Sequence, residues 1–172
     1  MKKFLLPLLG ITAVAVVLAL VATRPYAQPA AEPYVVPALT KEYENDVYDF
    51  SLRIPEEFAA SNSANEQGGE TVVLQDKNNN GIQIVITPDA DDTKVLTKEM
   101  IAAQLPQLKI TDVQPVEVGE SHTGLAFKSD NEAFGGASRE VWFVFRGNLY
   151  QISTYERLDD LLKQIFQTWE FH

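Results

Sequence analysis

The sequence has no cysteine among its 172 residues. That absence excludes disulfide bonds, thiolate zinc sites, iron–sulfur clusters, a lipidated cysteine and cysteine catalysis. Histidine is nearly absent too, since His122 and His172 are the only two and are too few for a histidine-rich metal centre. The length allows one globular domain with an appendage, and a hydrophobic fraction of 45% is typical of a folded chain.

Basic side chains are few outside the N-terminal segment. The chain has 14 Lys and Arg against 24 Asp and Glu. Lys2, Lys3 and Arg24 precede every acidic residue, which leaves residues 25–172 with 11 basic and 24 acidic side chains and a net charge of −13. A domain this acidic repels phosphate backbones and anionic lipid headgroups, so we expect neither nucleic-acid binding nor adsorption to a lipid surface.

One long apolar run follows the first two lysines, because residues 4–22 carry no charged side chain. As a helix, this run would span about 28 Å, close to the roughly 30 Å hydrocarbon core of a bilayer. The lysines should keep the N-terminus in the cytoplasm. Residues 1–23 are therefore predicted to be a single-pass signal anchor or a signal peptide. The length of the run and the poor cleavage site after it favour the anchor. The C-terminal domain is expected outside the cytoplasm, tethered to the cell membrane, or secreted if cleavage occurs.

A proline-rich linker is predicted over residues 24–45. Pro25, Pro29, Pro33 and Pro37 recur at every fourth position. Such a chain favours polyproline II and acts as a semi-rigid spacer. We expect it to hold the domain away from the membrane.

Seven segments have the alternation or the β-rich composition of strands. A turn of Asn and Gly residues joins the second and third, and residues 141–145, apolar on both faces, indicate a central strand. The polar stretch 61–69 is predicted to be a loop. The seven segments are 47–54, 71–75, 82–87, 113–118, 123–128, 140–145 and 149–154.

Two helices complete the prediction. Thr97 can cap a short helix over residues 98–105. The second has apolar residues at helical spacing: Leu158, Leu161, Leu162, Ile165, Phe166 and Trp169. We therefore predict an α+β domain over residues 46–172, with an antiparallel sheet of about seven strands flanked by helices. One N-terminal transmembrane or signal helix precedes it.

The order of these segments resembles a known superfamily. A strand over residues 48–55 precedes a glycine-linked hairpin, residues 139–144 pair with 149–152, and the chain closes on residues 168–171 (Thr-Trp-Glu-Phe). This resembles the PsbP-like α/β/α sandwich superfamily, named for an extrinsic photosystem II subunit, and within it small membrane-anchored bacterial members. The resemblance covers about residues 46–172 and has no active-site motif, so it carries over no functional residue. It implies binding and assembly roles rather than catalysis.

One loop partly matches a calcium-binding pattern. Asp76, Asn78 and Asn80 alternate before Gly81, as the first oxygen ligands of an EF-hand loop do. The position of the bidentate glutamate is Thr87, and a strand follows where an EF-hand would begin a helix. The pattern therefore favours a plain hairpin turn. A calcium site stays open because three acidic residues follow the hairpin: Asp89, Asp91 and Asp92.

The pairs that could serve catalysis have simpler interpretations. Ser121 and His122 are adjacent, so on a strand they point to opposite faces and cannot act as nucleophile and base. We interpret His122 as a turn residue and His172 as merely terminal. The acidic pairs 56–57 and 159–160 are typical of helix starts or exposed surface.

One aromatic and basic concentration stands out in this acidic chain. Such groups are frequent at binding hot spots, although both tryptophans are expected in the core. Residues 128–138 beside them form either a flap or an ordinary surface loop. The members of the concentration are Trp142, Tyr150, Tyr155 and Trp169, with Arg139, Arg146 and Arg157.

Together these features predict a non-enzymatic, membrane-tethered, extracytoplasmic domain that binds another envelope protein or supports assembly of a complex. The alternative is an extracytoplasmic module that binds a small ligand or calcium. An enzyme would need a charged cleft that the sequence does not reveal. No catalytic, cofactor-binding or metal-binding residue is assigned.

Overall fold

The computed structural model describes residues 34–88, 90, 96–119 and 122–172. The predicted N-terminal helix and residues 24–33 of the linker lie outside this range. Among the described residues, no helix has both the length and the apolar character needed to cross a membrane.

The described residues form ten strands and two α-helices, with two short 3-10 turns between them. In chain order these are β1 (Leu39–Asn45), β2 (Phe50–Pro55), β3 (Ala59–Ala64), β4 (Glu70–Gln75), β5 (Gly81–Thr87), α1 (Lys98–Gln104), β6 (Ile110–Val118), β7 (His122–Ser129), a 3-10 turn at Glu132–Phe134, β8 (Ser138–Phe145), β9 (Asn148–Tyr155), a 3-10 turn at Glu156–Leu158, α2 (Asp159–Phe166) and β10 (Glu170–Phe171).

The main sheet has seven antiparallel strands in the order β3-β4-β5-β9-β8-β7-β6. Three hairpins build most of it, at the positions that the turn residues predict. The β8–β9 turn places Arg146 at φ 47° and Gly147 at φ 73°, which fits the twist of a two-residue hairpin. β8 lies between β9 and β7 and is buried from Ser138 to Phe143, which confirms the prediction of a central strand.

A second, three-stranded sheet has the order β1-β2-β10. It joins α2 in covering one face of the main sheet, and the main core lies between them. On the other face, α1 places Ile101 against a smaller cluster that contains Phe127, Trp142 and Leu149. Thr97 caps α1 as predicted, since its hydroxyl accepts a hydrogen bond from the backbone N–H of Met100. The helices therefore lie on opposite faces of the sheet.

The folded domain begins earlier than the predicted boundary at residue 46. The second part of the predicted linker, Leu39–Asn45, is β1 and pairs with β2 in antiparallel register. Before it, Tyr34 and Val36 pack against the main core. The prolines of the segment hid this strand, in which only Tyr43 and Asn45 are buried.

The seven strands of the main sheet are not the seven predicted ones. The predicted strand 47–54 corresponds to β2, which lies in the smaller sheet, while residues 46–49 form a turn. The polar stretch 61–69, predicted as a loop, begins with the last four residues of β3, a strand whose six residues are all exposed. The number of strands agrees with the prediction, but the prediction of a loop was wrong for residues 61–64 and holds for residues 65–69.

The last helix is shorter than its pattern predicts. α2 ends at Phe166, and the Thr168 hydroxyl donates to the carbonyl of Ile165 at 2.8 Å. The same hydroxyl accepts from the backbone N–H of Arg53 in β2 at 2.9 Å. The chain then joins β2 as β10. Trp169 is still buried, but it lies after the helix rather than on it.

Candidate functional site

A groove lies between α2 and the end of the sheet formed by β6, β7 and β8. It consists of two adjoining cavities of about 390 and 380 Å³, which share Arg139, Asp159 and Lys163. The first continues over polar residues of β6 and β7, including Gln114 and Lys128. The second continues over apolar residues, namely Val116, Val141, Leu162 and Phe166. The groove therefore has a charged half and an apolar half.

An ion-pair chain crosses the groove where its two halves meet. The Arg139 side chain is only 5% exposed, and its Nε lies 3.1 Å from Asp159 Oδ1. The other oxygen of Asp159 lies 3.0 Å from Lys163 Nζ, which also reaches Asp160 Oδ1 at 3.1 Å. The hydrogen bonds that Lys163 donates to Asp159 and then to Asp160 raise its pKa. Arg139 is therefore held in place by a carboxylate that is itself fixed at the start of α2.

Lys128 forms a second ion-pair cluster at the charged end of the groove. Its Nζ lies 2.8 Å from Glu156 Oε1 and 3.3 Å from Asp112 Oδ2. The hydrogen bonds with Glu156 and then Asp112 raise the pKa of Lys128, so this lysine stays protonated at neutral pH. A protonated lysine is a poor nucleophile. The groove thus offers fixed alternating charges, which suit recognition of a polar surface better than proton transfer.

Glu140 on β8 is a buried carboxylate that no sequence pattern singled out. Its neighbour Arg139 faces the groove, and Glu140 faces the other side of the sheet because side chains alternate along a strand. Three serine hydroxyls surround it: Ser138 donates at 2.7 Å, Ser129 at 3.4 Å, and Ser153 across the β8–β9 pair donates as well. Burial raises the pKa of Glu140, and this effect outweighs the hydrogen bonds, which lower it. The signal was a glutamate directly before the apolar residues 141–145 of the central strand.

The calcium-like loop forms the plain hairpin turn that the sequence favoured. Asp76 Oδ1 accepts from the backbone N–H groups of Asn78 at 2.7 Å and Asn80 at 2.9 Å, and Oδ2 accepts from Asn80 Nδ2. Burial raises the pKa of Asp76, but these hydrogen bonds together lower it by more, so the pKa is below its usual value. No group of three acidic or histidine side chains suited to a metal occurs in the described part of the chain. The other proposed ligands lie outside it: Asp89, Asp91 and Asp92.

The two histidines have structural environments that the sequence did not predict. His122 is a strand residue of β7 rather than a turn residue, and its ring contacts those of Phe145 and Phe171 at 4.4 and 4.8 Å. His172 Nε2 lies 3.0 Å from the Ser51 hydroxyl, so the terminal residue is tied to β2. Ser121 lies outside the described residues.

The aromatic and basic concentration is divided between different parts of the molecule. Trp142 and Trp169 are core residues, as expected, but they lie on opposite faces of the sheet. Arg146 follows the opposite end of β8 from Arg139 and pairs with Asp49 at 3.3 Å. The concentration is therefore not one binding patch, and of its three arginines the groove includes Arg139.

Of the remaining members, Tyr150 is buried in the main core, and Tyr155 and Arg157 lie at the end of the β8–β9 pair. Arg157 stacks over the ring of Tyr155 at 4.9 Å. Phe134, from the predicted flap, is buried and contacts the same ring at 5.4 Å. Residues 128–138 are thus an ordered surface connection, the simpler of the two predictions.

Comparisons with known proteins bear on the fold. No protein-family model matches the sequence, and no curated protein matches it significantly. The structure is similar to the solution structure of cyanobacterial PsbP (CyanoP) from Synechocystis sp. PCC 6803, with a TM-score of 0.54 and 11% identity over 84% of this chain and 98% of that one.

A second similar structure is a protein of unknown function from Pseudomonas aeruginosa. Its TM-score is 0.37 at 14% identity, over 76% of this chain and 96% of that one, which is too low to support an argument. The likeness to cyanobacterial PsbP is likewise one of fold alone at its level of identity. The described part of the chain has a PsbP-like fold, with a seven-stranded antiparallel sheet and two helices.

Proposed function

We propose that the protein is a membrane-tethered, extracytoplasmic binding domain that supports assembly of a complex in the cell envelope and has no catalytic activity of its own. The proposed tether rests on the apolar run over residues 4–22 and the two lysines before it. The proposed binding role rests on one observation, the groove in which fixed ion pairs lie beside apolar side chains.

The groove has the composition of a protein-binding surface. Such surfaces combine an apolar centre with a polar rim, and arginine is frequent among their energetically important residues. Arg139 is held by Asp159, so little side-chain freedom is lost when a partner binds. Lys163 is 58% exposed and can form further hydrogen bonds with that partner. We expect the partner to place polar groups over the ion pairs and an apolar side chain beside Phe166.

The test is crosslinking and co-purification of the full-length protein from its own membranes. We expect one stoichiometric partner, which Lys163→Glu reduces at least about tenfold, or about 1.4 kcal/mol of binding free energy. Lys98→Glu is the matched control, because it makes the same charge change on exposed α1, on the other face of the sheet. A partner should also be lost when residues 1–22 are replaced by a cleavable signal.

Three results would count against the proposal. One is the absence of any partner above background, and another is equal capture by both charge variants. The third is turnover of a substrate by the purified protein.

A small-ligand module is the second candidate, because the cavity of about 390 Å³ lies within the size range of small-molecule sites. A metabolite screen by thermal shift tests it, with Lys163→Glu as the variant that should abolish any shift. The calcium version makes a separate prediction. Calcium at 100 times its dissociation constant should stabilise the protein by about 2.7 kcal/mol, so an unchanged melting temperature at millimolar calcium contradicts it.

A further inference from the structure

β3 leaves one edge of the main sheet open among the described residues. It pairs with β4 on one side, and it stands last in the strand order. All six of its residues are exposed, and its sequence, Ala-Ala-Ser-Asn-Ser-Ala, contains neither charge nor proline. Its register with β4 is unbroken over the whole strand. An edge with these properties is a template for pairing with another chain.

The other edge of the same sheet is protected. β6 contains Pro115, which has no backbone N–H to donate, and its register shifts between Thr111 and Gln114. Asp112 within that shift has φ 53°, and Glu117 adds a further charge. Proline, bulges and charges are the usual features that prevent pairing at an edge. β6 carries all three features and β3 carries none, so the two edges of one sheet differ in their protection against pairing.

β3 is also held in an extended form before any partner arrives. The hydroxyl of Tyr43, on β1 in the smaller sheet, accepts a hydrogen bond from Asn62 Nδ2 at 3.0 Å. Lys41 Nζ donates to the carbonyl of Phe58, just before the strand, at 2.8 Å. The backbone N–H of Asn65 donates to the carbonyl of Gly69, so the backbone of Asn65 and of every second residue before it faces β4. The N–H and C=O groups of the residues between them therefore point outward. These are Ala60, Asn62 and Ala64.

The surroundings of β3 carry a strong negative charge. Residues 39–70 contain two basic residues, Lys41 and Arg53, and eight acidic ones. The acidic residues are Glu42, Glu44, Asp46, Asp49, Glu56, Glu57, Glu66 and Glu70. Glu56 and Glu57 come just before β3 and Glu66 just after it, and all three are exposed. The strand is therefore an uncharged segment between two acidic ends.

We propose that β3 binds an extended segment of a partner protein as an added strand of the main sheet. The partner segment would have about six small, uncharged residues with Lys or Arg at its ends, opposite the acidic residues that flank β3. This inference rests on the proposed binding function and gives it a second contact surface. Backbone hydrogen bonds would supply affinity, and the basic flanks would supply specificity.

Two other occupants fit the charges or the chemistry less well. Antiparallel pairing of β3 with a second copy, centred on Ser61, would place Glu56 opposite Glu66, and like charges directly opposite destabilise a strand pair. Residues 24–33 of the same chain contain Pro25, Pro29 and Pro33, none of which can donate a backbone hydrogen bond.

The test places a photo-crosslinking amino acid at Ser61 of the full-length protein in its own membranes. A second version carries it at Gln167, which lines the groove. We expect the Ser61 adduct to map by mass spectrometry to an uncharged partner segment with basic residues at its ends. Ala60→Pro removes one outward N–H and should reduce this adduct at least about tenfold, whereas Ala60→Ser keeps the N–H and should leave it unchanged.

A melting curve shows whether each variant folds, and Ala64→Pro repeats the test at the other end of the strand. The proposal is overturned if the Ser61 adduct maps to a second copy, to residues 24–33 or to an acidic segment. It is also overturned if folded Ala60→Pro and Ala64→Pro keep the adduct. An adduct at Gln167 alone contradicts strand addition and supports the proposed binding function. An absence of adducts at both positions contradicts both proposals.

Discussion

At one edge of the seven-stranded sheet, β6 carries Pro115, a register shift and acidic side chains, whereas at the other edge β3 carries none of these. Both strands face the same physical problem, because an unpaired edge exposes backbone donors and acceptors. The difference indicates that the β6 edge is protected against pairing with another chain and that the β3 edge is not. It also divides the two proposed binding surfaces by mode of recognition. Beside β6 lies the groove, where side chains are presented, and at β3 the backbone is presented.

The largest loss of stability is expected for a substitution at the centre of the sheet, between the two edges. Phe143 on β8 is fully buried and stacks on Tyr150 at 4.7 Å. Phe143→Ala should reduce the free energy of unfolding by about 3–5 kcal/mol, because it removes apolar contacts and leaves a cavity. Urea unfolding measures the loss. Phe145→Ala, at the partly exposed end of the same strand, is the control and should cost clearly less.

Proline substitutions compare the two sides of β3 directly. Ser61 alternates with the outward residues, so its backbone groups face β4. Ser61→Pro should therefore cost about 1–3 kcal/mol of unfolding free energy, since it leaves a β4 carbonyl without its donor. Ala60→Pro, whose N–H faces outward, should cost less than about 1 kcal/mol. Equal losses in urea unfolding would show that the assigned direction of these groups is wrong.

The pH dependence of stability distinguishes the centre of the sheet from both edges. Burial raises the pKa of Glu140 above its usual value, so the folded protein holds this proton more tightly than the unfolded chain does. The stability that this provides is complete below the usual glutamate pKa and is lost as the pH rises through the raised pKa. Glu140→Gln should remove that decline and raise the melting temperature at neutral pH by a few degrees. Melting curves between pH 4 and 8 test this, and an unchanged slope in the variant contradicts it.

The smallest effect on stability is expected at the protected edge. Pro115→Ala restores a backbone N–H on β6 and should change the free energy of unfolding by less than about 1 kcal/mol. The same change should increase self-association, because one feature that prevents pairing is gone. Sedimentation velocity over a range of concentrations measures this, and Pro106→Ala, outside the strands, is the control. A variant that self-associates no more than the unmodified protein would show that the bulge and the charges are sufficient.

The sequence predicted those parts of the fold that local residues determine. Asn and Gly residues between β-rich segments located the hairpins, and apolar residues on both faces identified β8. β3 was missed because its small polar residues have little strand propensity, so pairing with β4 determines its conformation. β1 was missed because prolines precede it and only two of its seven residues are buried, although it forms a hairpin with β2.

The candidate site was less accessible to sequence reasoning than the fold. The sequence places Arg139 near aromatic residues and Asp159 at the start of a helix. Their contact depends on how α2 packs across β8, which neither local pattern contains. The role of Glu140 likewise depends on serines from three strands. Sites assembled across strands in this way require the topology before their residues can be related.

The pairing of β10 with β2 has a consequence in time as well as in space. Ser51 and His172 are in contact although they are 121 positions apart in the chain. During synthesis, the smaller sheet therefore cannot be completed until β10 has been made. Contacts of such long sequence separation slow folding. For a chain exported as we propose, the smaller sheet would then be completed only after β10 has crossed the membrane.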